Sequence, residues 1–270
     1  MHSSTSVPSK PSTVAASLGL AVLGTERTYT KIAGRLCGIA FGVLSQVLFL
    51  WTVVQLFTFL KYGGTHSSSH WFWIDVLLSI GFAIPHSLLL APPIQKRIKV
   101  WMPAGLLGCL HCSVTCLTLL FMFHNWEVCS TTLWHATGIT EFAILCGFYG
   151  SWVALFYSLY ITGMLYQTGL TQWWYWLIQQ KPPKREFLET GAYRWMRHPI
   201  YMSFLGLIWF TPTMTLDHAV LTAIWTAYIY AGSYFKDKRM IRFVGEDYRE
   251  YAKRVTGLPI IGIGPLRLMK

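Results

Sequence analysis

Four long apolar segments dominate the first two thirds of the chain, covering residues 36–60, 71–91, 103–123 and 142–165. A helix needs about 20 mostly apolar residues to cross the hydrocarbon core of a bilayer. Each of the four segments meets that length. The pattern therefore predicts four membrane-spanning α-helices.

Two shorter apolar segments follow, over residues 199–212 and 218–235, with a turn-like stretch at 213–217 between them. As a helix, the first would be only about 20 Å long at 1.5 Å per residue. That is too short for an independent span. We therefore expect the two segments to form a helical hairpin that packs against the four longer helices.

An amphipathic pattern follows the hairpin, with apolar and aromatic residues at spacings of three and four and basic residues between them. This spacing is typical of a helix that lies along a membrane surface. The predicted fold is all-α: a polytopic membrane helical bundle of four long spans, a C-terminal helical hairpin and an interfacial amphipathic helix. Residues 1–32 are predicted to be a flexible polar cytoplasmic tail, and residues 33–270 a single membrane domain.

The composition agrees with a membrane protein. Of 270 residues, 53% are hydrophobic and 12% are charged, about half the charged fraction of a soluble domain. The 22 Lys and Arg against 11 Asp and Glu give a net charge of +11. Because these bases lie between apolar segments and not along one polar face, nucleic-acid binding is not predicted, and the expected partner is the lipid bilayer.

The distribution of basic residues predicts the orientation. If the N-terminus is inside, the bases of the N-terminal tail, of residues 96–99, of residues 181–197 and of the C-terminal tail all face the cytoplasm. Only Lys61 then lies outside. Cytoplasmic loops carry an excess of Lys and Arg, so we expect an even number of crossings with both termini cytoplasmic.

The segment before the hairpin carries the residues best suited to chemistry. Pro199 is well placed as the first residue of a helix, where its missing N–H group would have no partner in any case. The free N–H groups of that first turn, together with Arg194, Arg197 and His198, can hold a carboxylate or a phosphate. The alternative is a basic cluster that faces lipid phosphates at the membrane surface.

The sequence Arg197-His198-Pro199-x-Tyr201 before a hydrophobic hairpin, followed by Tyr248-x-x-Tyr251, resembles the superfamily of isoprenylcysteine carboxyl methyltransferases and phospholipid methyltransferases. The resemblance implies that the hairpin and the tail, about residues 190–256, enclose S-adenosylmethionine. The implied cofactor-binding residues are Arg194, Arg197, His198, Pro199, Tyr201, Asp237, Tyr248 and Tyr251.

Within that superfamily, the chain resembles the methanethiol S-methyltransferase branch and its animal relative nurim. The resemblance rests on Asp75 and His86-Ser87 in the second span, on residues 169–172 and on the hairpin turn at 212–215. It implies methyl transfer from S-adenosylmethionine to a small thiol, most directly methanethiol, giving dimethyl sulfide. Direct displacement of this kind needs alignment and a thiolate, and it needs no metal.

The sequence departs from the family in one place. The family carries two adjacent acids at the end of the last hairpin helix, whereas this chain has Lys236 followed by Asp237. Asp237 is then the acid expected to face the ammonium or sulfonium charge of the cofactor. His198 and Asp237 are the two candidates for handling the thiol proton, and the sequence does not choose between them.

Two further groups have alternative interpretations. Asp75 and His86 lie within the second span, where ionisable residues are costly; each can bind substrate or fix helix packing. Cys109, Cys112 and Cys116 share one face of the third span, where packing is favoured over a metal site because cysteine behaves as a small apolar residue there.

Other functions are compatible with the same residues. The methyl acceptor can be lipid-borne, either a prenylcysteine carboxylate or a phospholipid amine. Alternatively, the chain is a non-catalytic membrane scaffold, as the resemblance to nurim and the presence of Lys236 allow. The sequence has no signal for an oligomeric state.

Overall fold

The computed structural model describes the backbone over residues 13–183, 187, 189–259 and 266–269, and side chains from Ile32 onward. Two compact units are distinguished, residues 1–44 and residues 45–270. The described α-helices are α1 (Thr13–Tyr62), α2 (Trp71–Leu89), α3 (Pro92–Ile98), α4 (Leu107–His124), α5 (Gly138–Thr162), α6 (Met164–Gln167), α7 (Leu170–Leu177), α8 (Pro199–Trp209), α9 (Leu216–Val244) and α10 (Glu246–Arg254).

The first unit contains the start of α1. The helix begins at Thr13, inside the segment that the sequence predicts to be a flexible polar tail. Residues 14–23 include several alanines and leucines, which are good helix formers. The backbone is therefore helical where no helix was expected, and the domain boundary near residue 32 stays a prediction.

The four predicted spans are confirmed as helices long and apolar enough to cross a membrane: Ile32–Tyr62, Trp71–Leu89, Ala104–His124 and Gly138–Thr162. The third begins with a 3₁₀ turn at Ala104–Leu106 that leads into α4. Many large apolar side chains on these helices are exposed, for example Leu44, Leu77 and Phe142. Because such surfaces suit lipid and not water, the predicted all-α fold of an integral membrane protein is confirmed.

Three connections meet at one end of the second unit. Strand β1 (Thr132–His135) pairs antiparallel with strand β2 (Thr213–Thr215), so the α4–α5 connection lies beside the α8–α9 turn. A backbone hydrogen bond from Val128 N to His66 O at 2.6 Å adds the α1–α2 connection. We call this the sheet end of the bundle. The short strands have no signal in the sequence, since they are only four and three residues long.

The hairpin is confirmed, but its second helix is longer than predicted. Helix α9 continues past residue 235 to Val244, so the hairpin helix and the start of the amphipathic pattern form one continuous helix. Gly245 ends it with φ of 85°, a conformation that glycine adopts without the steric cost of a side chain. Helix α10 then turns back, and the tail packs beside the start of α8.

The interior is built mainly from aromatic and aliphatic residues of the spans and the hairpin. Helix α8 packs chiefly against α5, and α9 packs against α2. Phe59 stacks on Phe123 with ring centroids 4.6 Å apart, and Trp126 meets Phe59 edge-on. The packing against α5 and α2 positions the residues that precede α8 and end α9.

Candidate functional site

The start of α8 is confirmed where the sequence placed it. Pro199 is the first helical residue and His198 the residue that caps it. The backbone just before the helix is held by the tail: Arg197 N donates to Thr256 O at 2.9 Å, and His198 N donates to Gly257 O at 3.1 Å. The tail therefore fixes the end of α8 that lies opposite the sheet end.

A buried ion pair joins this segment to α9. Arg197, 1% exposed, donates from Nε and Nη2 to Oδ2 of Asp237 at 3.2 and 3.0 Å. Its Nη1 donates to Val255 O at 2.6 Å and Ala252 O at 3.3 Å, and Nη2 also donates to Arg267 O at 3.1 Å. The guanidinium is thus committed to Asp237 and to tail carbonyls, and it has no donor to spare for a ligand.

Two tyrosines of α10 complete the buried network. Tyr248 donates its hydroxyl to Oδ1 of Asp237 at 2.5 Å. Tyr251 donates to the carbonyls of Tyr193 at 2.7 Å and Met196 at 3.3 Å. Both rings are almost fully buried. The tyrosines therefore lock α10 onto the segment before α8.

The electrostatics of the network favour the ionised form of Asp237. Burial alone would raise the pKa of Asp237, but contacts with His198, Tyr248 and Arg197 outweigh it and hold that pKa below its usual value. Burial and the Asp237 charge raise the pKa of Tyr248. Asp237 is thus a carboxylate whose two oxygens are already engaged by neighbouring donors.

His198 lies at the centre of the cluster and is fully buried. Its Nε2 is 3.3 Å from Oδ1 of Asp237, in contact but not aligned as a hydrogen bond, and Nδ1 has no hydrogen-bond partner within the described part of the chain. Burial lowers the pKa of His198, with Asp237 opposing the shift. A neutral imidazole with Nε2–H toward Asp237 leaves the Nδ1 lone pair free.

Aromatic and basic residues surround His198. Tyr201 stacks on it with ring centroids 5.3 Å apart. The ammonium of Lys236 lies over the rings of Tyr201 and Tyr193, 5.3 and 5.6 Å from the centroids. It also donates to Arg197 O at 3.4 Å. Sequence reasoning missed Tyr193; an aromatic residue so close before the basic motif is the signal that could have found it.

The structure therefore brings most of the sequence-predicted cofactor residues into one cluster, and their roles stay predictions. Its members are Arg197, His198, Pro199, Tyr201, Asp237, Tyr248 and Tyr251. Arg194 differs, because its side chain is exposed and donates from Nε to Glu189 O at 3.4 Å. It lies at the surface beside the cluster.

Asp75 is placed far from this cluster, near the sheet end. It is fully buried, and its Oδ1 accepts a hydrogen bond from Glu127 N at 3.0 Å. Nearby, Asp217 accepts from Trp126 Nε1 at 3.2 Å and Cys129 N at 3.1 Å. Both carboxylates hold the segment that follows α4, which is the packing role considered for Asp75.

His86 lies in a second polar cluster, between α2, α4 and α9. Its Nδ1 is 3.1 Å from Oγ1 of Thr115, and its ring is 4.9 Å from that of His111. The next residue, Ser87, shares a hydrogen bond of 2.9 Å with the hydroxyl of Tyr228 on α9. His86 thus faces the helix that carries Lys236 and Asp237.

The three cysteines of α4 are buried. Cys109 Sγ lies 3.7 Å from Gly169 O, and Ser45 Oγ donates to Cys109 O at 3.2 Å. Across the residues that the structure describes, no group of three His, Cys, Asp or Glu side chains is placed to hold a metal ion.

An apolar cavity of about 600 Å³ lies along α8 and α9. Tyr201 lines it, and it extends from Leu258 and Leu266 of the tail to Trp134 and Met214 near the sheet end. Tyr201 therefore belongs both to the cluster around His198 and to the lining of this cavity.

Comparison with known proteins gives relatives along most of the chain. It is 26% identical to methanethiol S-methyltransferase 1 of Bradyrhizobium diazoefficiens over 251 residues, 87% of this chain and 86% of that protein. It is 29% identical to methanethiol S-methyltransferase of Pseudomonas deceptionensis over 187 residues, 67% of this chain and 70% of the relative. It is also 26% identical to nurim of Xenopus laevis over 169 residues, 58% of each chain.

No family model matches the chain. No solved structure matches it significantly. The fold and the relatives together define an integral membrane protein similar to membrane methyltransferases. The resemblance to the methanethiol S-methyltransferase and nurim branch is confirmed by these relatives.

Proposed function

We propose that this protein transfers the methyl group of S-adenosylmethionine to a small thiol, with methanethiol as acceptor and dimethyl sulfide as product. The observation that carries the proposal is the similarity to methanethiol S-methyltransferase 1 along 87% of this chain. The buried cluster at the start of α8 supports it, because its free groups suit the amino-acid end of the methyl donor.

The residues present fit that end. The N–H groups of Ile200 and Tyr201 are in the first turn of α8, where no partner exists within the helix. These groups and the helix dipole favour a carboxylate. Nδ1 of His198, which has no hydrogen-bond partner among the described residues, would accept a hydrogen bond from the ammonium group of the methyl donor. When bound, S-adenosylmethionine supplies a methyl group on a sulfonium, which is a good leaving group.

We place the binding site for the methyl acceptor along one face of α9. Tyr228, Gly232 and Lys236 are spaced by four residues and so lie on the same face, about 12 Å from first to last. A side chain added at Gly232 would meet the Tyr201 hydroxyl at 3.6 Å among the described atoms and nothing closer. Space therefore remains beside Gly232, between Lys236 and Tyr228, whose ring centroid lies 6.3 Å from that of His86.

We assign the thiol proton to Nε2 of His86, which would accept it in the tautomer whose Nδ1–H donates to Thr115 Oγ1. His86 would take the proton of the thiol, whose sulfur would then bond to the methyl carbon supplied by the bound donor, and the electron pair of the broken bond would stay on the sulfur of the donor as a thioether. A positioned base contributes about 10²–10⁴-fold to such a step. Asp237 is less suited, because both of its oxygens are engaged.

The positions of the basic residues support an orientation of the protein in the membrane. The sheet end carries Lys61, whereas the segment before α8 and the tail are rich in basic residues. Under the positive-inside bias, the His198 cluster and both termini face the cytoplasm. S-adenosylmethionine would reach the site from that side, and a small apolar thiol could enter through the bilayer.

Calorimetry with S-adenosylhomocysteine on detergent-purified protein tests the cofactor site. We expect His198→Ala and Tyr201→Ala each to weaken binding at least tenfold, which is 1.4 kcal/mol. Trp195→Ala is the matched control, since Trp195 belongs to the same segment but is 77% exposed. Thermal unfolding of each variant must first show a folded protein. Unchanged binding in both folded site variants would place the cofactor elsewhere.

The acceptor is tested with a panel of methanethiol, a prenylcysteine and a phospholipid amine, with labelled methyl donor. The proposal predicts transfer to methanethiol. Transfer only to a lipid-borne acceptor would support the second enzymatic alternative. Binding of the donor without transfer to any acceptor would support a nurim-like scaffold.

A further inference from the structure

Lys236 carries a positive charge with no acidic partner within 4 Å in the described part of the chain. Its side chain is half-buried, and its ammonium contacts the rings of Tyr193 and Tyr201 and the carbonyl of Arg197. The adjacent Asp237 points instead toward Arg197 and Tyr248. Among the described residues, the ammonium therefore lacks the ion pair that usually accompanies a charge withdrawn from water.

The surroundings of Lys236 add further positive charge. Burial lowers the pKa of Lys236 to about 8; Asp237 opposes this shift, while repulsion by Arg239 and Arg197 adds to it. The positive end of the α8 dipole lies at the same place. An anion bound beside Lys236 would remove this imbalance, because it would pair with both the ammonium and the helix end.

The geometry gives such an anion a defined position. The carbonyl that accepts from Lys236 belongs to Arg197, the residue just before the helix cap His198. The ammonium thus contacts both the residue before the cap and the ring of Tyr201 in the first turn of α8. An independent observation is the fully buried His198, whose Nδ1 has no partner within the described residues and lies in the same cluster.

We infer that Lys236 binds the carboxylate of the amino-acid portion of the ligand, together with the first turn of α8. The inference rests on the proposed function and adds the residue that recognises the carboxylate. Lys236 stands where the family that the sequence resembles carries an acid. This chain would therefore bind the methyl donor through a positive charge at this position and not through a negative one. The lysine is then a binding residue and not a sign of lost activity.

A thermodynamic cycle tests this inference. Two ligands are compared by calorimetry, S-adenosylhomocysteine and its decarboxylated form, which keeps the amine and the thioether. Two proteins are compared, the wild type and Lys236→Met, which keeps the apolar stem and removes the charge. The matched control is Lys238→Met, because Lys238 is exposed and its ammonium lies over Tyr234.

We expect removal of the ligand carboxylate to weaken binding to the wild type by about ten- to a hundredfold, as for a charge-assisted contact. In Lys236→Met, removal of the ligand carboxylate should weaken binding at least severalfold less than in the wild type, because only the first turn of α8 still holds the carboxylate. Lys238→Met should behave as the wild type. Lys236→Glu should weaken S-adenosylhomocysteine further, because it places one carboxylate against another.

Two failures are distinguishable. If the wild type binds neither ligand, the proposed function falls. If the wild type binds S-adenosylhomocysteine but Lys236→Met or Lys236→Glu binds it equally well or more tightly, the function stands and the role of Lys236 is refuted.

Discussion

The Asp237→Asn substitution removes one negative charge from the centre of the buried network. In the wild type, Oδ2 of Asp237 accepts from two guanidinium nitrogens of Arg197, and Oδ1 accepts from Tyr248 at 2.5 Å. An asparagine keeps only one oxygen, and its NH₂ group would face a donor on one side. The substitution therefore leaves Arg197 uncompensated and deprives either Arg197 or Tyr248 of its acceptor.

The expected cost is large. Arg197 and Asp237 are 1% and 2% exposed, and removing one partner of a buried ion pair typically costs about 3–5 kcal/mol. Arg197 also holds the carbonyls of Ala252, Val255 and Arg267. The loss should therefore loosen α10 and the tail before it affects the spans.

Thermal unfolding and limited proteolysis in detergent measure this effect. We expect Asp237→Asn to unfold well below the wild type and to be cleaved first between residues 245 and 259. The matched control is Asp247→Asn, because Asp247 is exposed on α10. If Asp237→Asn unfolds like the wild type and keeps the tail protected, the structural role of this ion pair is refuted.

Three further predictions follow from the same structure. Engineered cysteines at Lys99 and Lys253 should be labelled from the cytoplasmic side and one at Lys61 from the other; labelling of Lys99 or Lys253 from outside would contradict the orientation. His86→Gln should lower kcat for methanethiol by about 10²-fold or more while leaving S-adenosylhomocysteine binding intact, and the loss of kcat should be smaller for a more acidic thiol, which needs no base. Equal losses of kcat for both thiols would exclude His86 as the base. The affinity of the wild type for S-adenosylhomocysteine should be constant below pH 8 and should fall above it, as Lys236 loses its proton. Lys236→Arg should lack this fall, and the same pH dependence of affinity in both proteins would contradict the assignment.

The spans could be predicted from the sequence because hydrophobic length has a direct physical meaning in a bilayer. The helix start at Pro199 was predictable for a similar reason, since proline is preorganised for the first turn. The continuation of α9 to Val244 was not, because the apolar segment ends at residue 235 while the helix continues through a charged stretch. A change in polarity marks the membrane boundary and not the helix end.

The cluster around His198 was only partly predictable. The motif and the resemblance singled out Arg197, Asp237 and Tyr248, but sequence spacing does not show which charges neutralise one another. Arg197 was expected to face an anionic ligand, and in the structure its donors are taken by Asp237 and the tail. Lys236 departs from the pattern of the family that the sequence resembles, and its contacts beside the start of α8 support the ligand role that we propose for it.

The most direct test of the account is headspace analysis of purified protein given methanethiol and S-adenosylmethionine with a deuterated methyl group. The account predicts dimethyl sulfide that carries one deuterated methyl group, with catalytic turnover in the wild type. It also predicts that His198→Ala, if folded, gives much less product. Absence of labelled dimethyl sulfide from folded wild-type protein that binds S-adenosylhomocysteine would contradict thiol methylation.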